Sequence, residues 1–598
     1  MSFHAGTTAE TEVAPTQSPA HSAVAAGLPW NAAFAIVWPL ALVASVYMAV
    51  GRLGFYPTDE GLIQAWSFRI LNGQVPHRDF VSPVPEGSGL VHLIDFAIPG
   101  PLFEVSRFVA LVEYAGYAVL FAWLVYGIAP WRWSILAALG AAGSVLVNLN
   151  TFPLIAWYTV DGLLLIAGGY LAVARGAQRR SAGMVAFGFL LLGTAAVMKQ
   201  SFVPATAFGW LLLVPWLREL PWVVRIRALI LTGLIGAVPA AAFVTVISLL
   251  GGFQALRSQL QGTAFVYGRP LVAAWSPKHD LVALGPLVVA AVLLLIAIEI
   301  TSRGADRRNR TLSLLLRLAM SAFVVAITLW ARLGLSGNEW GIRVFWVLVA
   351  TLAVRSIFSR SVDLVGVVVL GAAWMSALSY GYGWPNLVAG TMTLLVLHRT
   401  WSEVKAPSVA PGRVRFAPAV AGLLTLVVLA YIFVAARQQD VYVDRPAAQL
   451  SASMGNVSSA FGDIRTNPLT AKYLVQMEQC IKRYPADRVA VLPENAAIYP
   501  ALSLRNPFPI DWMWPDSMHG SEARILATAD RLNNEGDYLV LFQTIGEPEL
   551  VSGSSLPDAR IDSPIHTYSP IVPQIYSRLN GQRATCGTFL VVYSPGSQ

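Results

Sequence analysis

Apolar residues fall in long runs separated by short polar connections. Stretches at 32–50, 105–127, 134–150, 153–174, 182–198, 201–216, 228–250, 281–300, 312–333, 341–358, 362–379, 386–399 and 416–436 each approach the roughly 17–25 residues of a helix that crosses a bilayer. They predict a polytopic α-helical membrane protein of about 13 transmembrane helices over residues 31–436. The pattern changes from residue 437. Apolar runs shrink to strand length (Arg488–Pro493, Asp537–Phe542, Gly587–Tyr593) with helical spacing between them, which predicts an α/β domain over 437–598. Residues 1–30 are polar, without Lys or Arg, and read as a disordered tail rather than a secretory signal.

Composition strengthens this reading. The chain of 598 residues is 56% apolar and 12% charged, against about 25% charged in ordinary soluble domains; with a mean hydropathy of +0.58, a water-soluble enzyme is excluded. The net charge is +8, yet the basic residues sit in small clusters between apolar runs and form no phosphate-tracking face, so a nucleic-acid partner is not expected. Connections holding Arg175, Arg179, Arg180, Arg218, Arg225, Arg303, Arg307, Arg308, Arg360 and Arg399 are richer in positive charge than the alternate set. The positive-inside rule therefore predicts a cytoplasmic N-terminus, an outside loop over 51–104 and an extracytoplasmic, periplasmic C-terminal domain. The preference for Arg and Ala fits a GC-rich bacterial genome and hence an inner (plasma) membrane. Only two cysteines occur, Cys480 and Cys586, both in the C-terminal domain. An extracytoplasmic location allows them a disulfide; two buried thiols are the alternative.

The 51–104 loop concentrates acidic side chains directly after the first span. Asp59 and Glu60 open an amphipathic stretch whose apolar stripe is Leu62, Ile63, Trp66 and Ile70, spacing that suits a helix lying in the membrane interface. Thr58 as a helix N-cap, with both acids answering the helix dipole, accounts for the same residues without chemistry. Asp161 falls inside an apolar run, where a carboxylate is either functional or a brace for the bundle. Aromatic turns at 379–385, including Tyr382, and at 511–515 suit either sugar stacking or the interfacial belt. The eight histidines show no metal-ligand spacing and no Walker or dinucleotide fingerprint is present. No obligatory cofactor is expected, and a divalent cation remains compatible.

The order of these features, Asp59-Glu60, then Gly73-Gln-Val-Pro-His-Arg-Asp79-Phe80, then Pro83–Gly89, resembles the GT-C superfamily of membrane glycosyltransferases. These enzymes, among them protein O-mannosyltransferases and lipid A aminoarabinose transferases, use polyprenyl-phosphate sugars. Met198-Lys-Gln200 is similar to the Lys-containing end of a span in that group. The resemblance implies a transferase whose partners are a polyprenyl-phosphate-linked sugar donor, membrane lipids, and an envelope glycan, lipid or protein as acceptor. Such a donor carries its own good leaving group, so the reaction needs a base at the acceptor hydroxyl and cations at the departing phosphate. By motif the base is Asp59, with Glu60 the close alternative and Asp79 a second acid. Lys199, Arg332, Arg343 and Arg269 are the candidate phosphate ligands by position, and Trp66, His77, Arg78, Glu339 and Tyr382 the candidate substrate contacts. Competing readings are a flippase for lipid-linked sugars, an envelope polysaccharide polymerase or ligase, and a non-enzymatic scaffold.

Overall fold

The computed structural model describes residues 28–126, 135–149, 154–262, 277–304, 306–332, 340–378, 384–402, 427, 430–518 and 520–595. The protein is a polytopic helical protein with a small C-terminal sheet domain. The expected count of thirteen spans is not met among the described residues. Among the described residues seven helices are long and apolar enough to cross a membrane: Leu102–Tyr126, Tyr158–Arg179, Gln200–Leu217, Trp222–Leu249, Leu284–Arg303, Arg307–Thr328 and Gly341–Ser359. Several remaining apolar stretches form shorter helices, including Ala182–Met198, Leu364–Ala377 and Ala389–Trp401. The last two fall well short of the ~20 residues of a crossing. They are short because protein, rather than lipid, surrounds them: Val368, Val369, Ala372, Ala373, Met392, Leu395 and Val396 are fully buried. The Trp222–Leu249 helix shows the opposite pattern, leaving Val223, Ile230, Leu234, Val238, Val246 and Leu249 exposed, as an outer helix facing hydrocarbon would. The stretch at 416–436 and the N-terminal tail lie largely outside the described residues.

Small residues set the closest helix approaches. We label the helices Leu28–Val50 α1, Leu62–Leu71 α2, Gly87–Val91 α3, Leu93–Ala97 α4, Leu102–Tyr126 α5, Ile135–Leu149 α6, Tyr158–Arg179 α7 and Ala182–Met198 α8. The hairpin between α7 and α8 turns at Arg180, and Ser181 caps α8 by accepting from the Met184 amide at 3.4 Å. A Cβ at Gly188 would sit 2.8 Å from the Gly169 carbonyl and one at Gly169 would meet Leu192, so the pair packs backbone to backbone, as small-residue contacts allow in a medium with no hydrophobic drive between helices.

In the C-terminal domain the sheet order is Arg488–Leu492, Tyr538–Gln543, Phe589–Ser594, Gln582–Cys586, the first pair parallel and the others antiparallel. The first three strands match the three expected runs. The fourth, an edge strand with an exposed, polar start, has no apolar run to announce it. Alternation along the strands feeds two apolar layers. Val489, Val491, Leu539, Leu541 and Val591 pack with the Pro468–Arg483 helix, while Ala490, Leu492, Val540, Phe542 and Val592 pack with the Glu522–Glu535 and Ile571–Arg578 helices. Cys480 and Cys586 are joined by a disulfide.

The 51–104 loop belongs to this domain's core. Phe55 and Phe103 lie in the first layer, 5.1 and 4.7 Å from the Phe461 ring, and Val81 lies in the second. The Phe55 amide donates to Asp444, and Arg52 and Gly54 exchange backbone bonds with Arg465. Helix α2 therefore does not lie in the membrane interface. It is enclosed, with Gln64, Ser67 and Arg69 buried beside Leu62 and Trp66, because Arg69 pairs through both Nε and Nη2 with Asp511 of the domain at 2.7 Å. Gly61 permits this contact: its φ is +94° and a Cβ there would lie 2.4 Å from Ala497 Cα.

The disulfide closes a segment with a separation of 106 residues. Its loss in Cys480→Ser is expected to destabilise the domain by about 4–5 kcal/mol on chain-entropy grounds. An unchanged denaturant midpoint after reduction of the full protein would contradict this.

Candidate functional site

The two adjacent acids that follow α1 have separate environments. Glu60 forms a buried two-pronged ion pair with Arg107 of α5, at 2.6 Å to Nε and 2.7 Å to Nη2. The same guanidinium donates to the carbonyls of Gly51 at 3.0 Å and Gly54 at 2.5 Å. All the polar reach of Arg107 is thus spent on the turn leaving α1, and Glu60 is a brace. Asp59 faces the other way. It is only partly buried and accepts a 2.5 Å hydrogen bond from the Tyr442 hydroxyl. Burial, with the charges of Glu547 and Glu60, raises its pKa to about 6 against the opposing bond from Tyr442.

Asp59 lines a narrow pocket, open to solvent, together with Tyr56, Glu60, Arg107, Leu154, Ile155, Arg437 and Tyr442. A second, narrow apolar groove shares Val50, Leu154 and Arg437 with it and continues along Val46, Leu146, Phe433 and Val434. The pair forms one amphipathic recess between α1, α6 and the 430–439 helix. A carboxylate and a guanidinium sit at the mouth, and hydrocarbon side chains line the descent.

The C-terminal domain adds further acids at this mouth. Glu547 accepts from the Tyr56 hydroxyl at 3.3 Å. Glu494, on the loop after the first strand, is pushed up to about 7, first by burial and then by the charge of Asp59, against the hydrogen bond it accepts from Gln543 at 3.3 Å and the nearby polar groups of Thr58 and Trp512. The Tyr568 phenol is raised to about 12 by burial and by the charges of Glu494, Glu547, Asp59 and Glu549; its ring lies 4.9 Å from Trp514. Sequence reading named none of Glu494, Glu547, Tyr568 or Arg437. A signal existed for Arg437 alone, the first cation after the last apolar stretch.

Other sequence candidates lie elsewhere. Asp79 is held by its neighbour Arg78 at 2.7 Å and by the Val75 amide, and Arg78, the nearest cause, keeps its carboxyl below the usual range. His77 is fully buried at a φ of +65°, bonded to Gln259 through Nδ1 at 2.7 Å; burial lowers its pKa to about 4. Its carbonyl accepts from Gln259 and Arg524. These residues fasten the loop to the segment after the Trp222–Leu249 helix and to the domain; none of them lines the Asp59 recess. Trp66 is core. Lys199 is fully buried, donating to Thr159 Oγ1 at 3.2 Å and to the Ser376 carbonyl at 3.4 Å, with Tyr158 and Phe202 rings beside it. It does not line the recess, nor does the half-buried Arg343. Arg269, Glu339, Tyr382 and the side chain of Arg332 lie outside the described residues. Among the described residues of the sequence set, only Asp59 and Glu60 line the recess.

No protein-family model matches this chain, and no curated protein does.

Removing Arg107 leaves Glu60 as an unpaired buried charge. Arg107→Ala is expected to cost about 3–5 kcal/mol, seen as a lowered melting temperature of the detergent-purified protein. Asp59→Asn should leave that temperature unchanged, since Asn still accepts from Tyr442.

Proposed function

We propose that the protein is a membrane glycosyltransferase of the GT-C kind, which moves a sugar from a polyprenyl-phosphate carrier to a hydroxyl of a cell-envelope acceptor. The observation that carries this reading is the amphipathic recess, in which a carboxylate and a guanidinium meet at the head of an apolar groove. A lipid-linked phosphosugar has the same sequence of chemistry. Its chain lies against Val46, Val50, Leu146, Leu154, Phe433 and Val434, its phosphate reaches Arg437, and its sugar lies toward Asp59. The motif order around Asp59 and its resemblance to GT-C enzymes support the same assignment.

Asp59 acts as general base. The acceptor oxygen attacks the anomeric carbon, its proton passes to Asp59, and the bond from that carbon to the phosphate oxygen breaks with its electron pair leaving on the phosphate. Arg437 stabilises the charge that develops there, so no general acid is required. Inversion at the anomeric carbon follows from a single displacement. A carboxylate with pKa near 6 suits this work, being ionised at neutral pH yet more basic than an exposed aspartate. Trp514 and Tyr568 offer aromatic faces for the sugar or acceptor ring. The reading includes a bacterial inner membrane, a cytoplasmic N-terminus, and the loop with the C-terminal domain on the outer face.

Asp59→Asn is expected to lower transfer from radiolabelled polyprenyl-phosphate sugars by roughly 10²–10⁴-fold while insertion and melting stay normal; full activity in that variant would remove Asp59 as base. The base must be ionised, so kcat/KM should fall as pH drops through about 6. Glu547→Gln removes a neighbouring negative charge and should move this limb to lower pH; an unmoved limb would place the titration elsewhere. Arg437→Ala should raise KM for the lipid donor by about tenfold or more, corresponding to the loss of a charge-assisted bond worth about 1.5–3 kcal/mol.

A further inference from the structure

A separate buried cluster lies where the outside loop enters the bundle. His92 stands between α3 and α4, Glu113 projects from α5 and Asp161 from the first turn of α7. Their relative exposures are 0, 6 and 2%. One ligand atom from each, His92 Nε2 and one carboxylate oxygen from Glu113 and Asp161, all lie within 4.8 Å of one another. His92 Nε2 is 3.4 Å from Asp161 Oδ1 and 3.9 Å from Glu113 Oε2. Two atoms bound to one ion at about 2.0–2.2 Å in tetrahedral geometry stand about 3.3–3.6 Å apart; the His92–Asp161 pair already has that spacing, and side-chain shifts of a few tenths of an ångström to about an ångström would bring in Glu113.

The surroundings favour a cation. Asp95, Glu113 and Asp161 have His92 as their only ion-pair partner among the described residues. Two buried oxygens of these carboxylates, Glu113 Oε2, which faces His92, and Asp161 Oδ2, have no hydrogen-bond partner. A buried carboxylate oxygen in that position is costly unless a charge answers it. The opposite ring nitrogen, His92 Nδ1, is 3.0 Å from Asp95 Oδ2. Asp95 is itself held by Gln64 Nε2 at 3.1 Å, and Gln64 also donates to Ser106. A carboxylate on Nδ1–H fixes the tautomer that leaves Nε2 as a lone-pair donor, the arrangement of a metal-bound histidine with its outer partner. A divalent cation placed here would answer the unbonded carboxylate oxygens and accept the Nε2 lone pair.

We propose that His92, Glu113 and Asp161 bind a divalent first-row transition ion, Zn²⁺ or Mn²⁺, that ties the outside loop to α5 and α7. One nitrogen and two carboxylate oxygens match those ions better than Mg²⁺ or Ca²⁺, which take all-oxygen shells. Asp95 is a positioning residue, acting through the His92 ring. The proposal is independent of the glycosyltransferase reading, and its test needs no turnover.

Elemental analysis of full-length protein purified without chelator should find about one Zn²⁺ or Mn²⁺ per chain. X-ray absorption on that ion should show only nitrogen and oxygen neighbours at about 2.0–2.2 Å. After stripping with a chelator, adding Zn²⁺ or Mn²⁺ alone should restore the metal content and the melting temperature, while Mg²⁺ should not. His92→Ala should abolish uptake, and Asp95→Asn should weaken affinity about 10–100-fold with one ion still bound at saturation. If the wild-type protein takes up neither ion, or His92→Ala binds as tightly as wild type, the assignment is overturned and the acids share protons instead. The wild-type measurement decides this even where a variant fails to fold.

Discussion

The geometry at the mouth of the bundle depends on one buried guanidinium. Arg107 reaches from α5 to Glu60 and to the carbonyls of Gly51 and Gly54, so it satisfies the turn by which the chain leaves α1. A bidentate pair in a low-dielectric setting repays its desolvation best when further donors are also bonded, and here Nη1 and Nη2 also donate to backbone carbonyls. With Glu60 fixed on one side, the backbone aims Asp59 to the other, toward Tyr442 and the recess. Two consecutive carboxylates thus acquire different roles from their surroundings alone, one neutralised by an arginine and one held ionisable beside further acids.

The same constraint governs how the two halves of the molecule meet. The turn held by Arg107 also places Phe55 against Phe461, and α2 then presents Arg69 to Asp511. The recess therefore has a floor from the bundle and a rim from the C-terminal domain. Glu494 and Glu547 on that rim raise the local negative potential around Asp59, while Arg437 supplies positive charge at the end nearest the apolar groove.

Much of this was readable from residue order. Long apolar runs announced a polytopic helical protein, strand-length runs announced the sheet, and the acidic pair after the first run pointed to the mouth. The count of spans was not readable, because hydropathy registers apolar character and not whether lipid or protein surrounds it; Leu364–Ala377 is as apolar as a lipid-facing helix yet is enclosed. Trp66 was misread for a related reason, since an amphipathic stripe looks alike whether it meets headgroups or a folded domain. Lys199 has a position fit for a phosphate ligand but bonds inward to Thr159 and Ser376. Arg437, Glu494 and Glu547 were invisible as a site because they come from segments far apart in the chain. His92, Glu113 and Asp161 share that difficulty, being spaced too widely for any local motif.

The shared aromatic core has a consequence for biosynthesis. Phe55 and Asp444 are bonded across a separation of 389 residues, and Tyr442 and Asp59 across 383. Contacts of such range cannot form until nearly the whole polypeptide has left the ribosome, so the first extramembrane segment must wait, incompletely packed, while the intervening helices insert. Truncation before the final domain would leave that segment with no surface on which to fold.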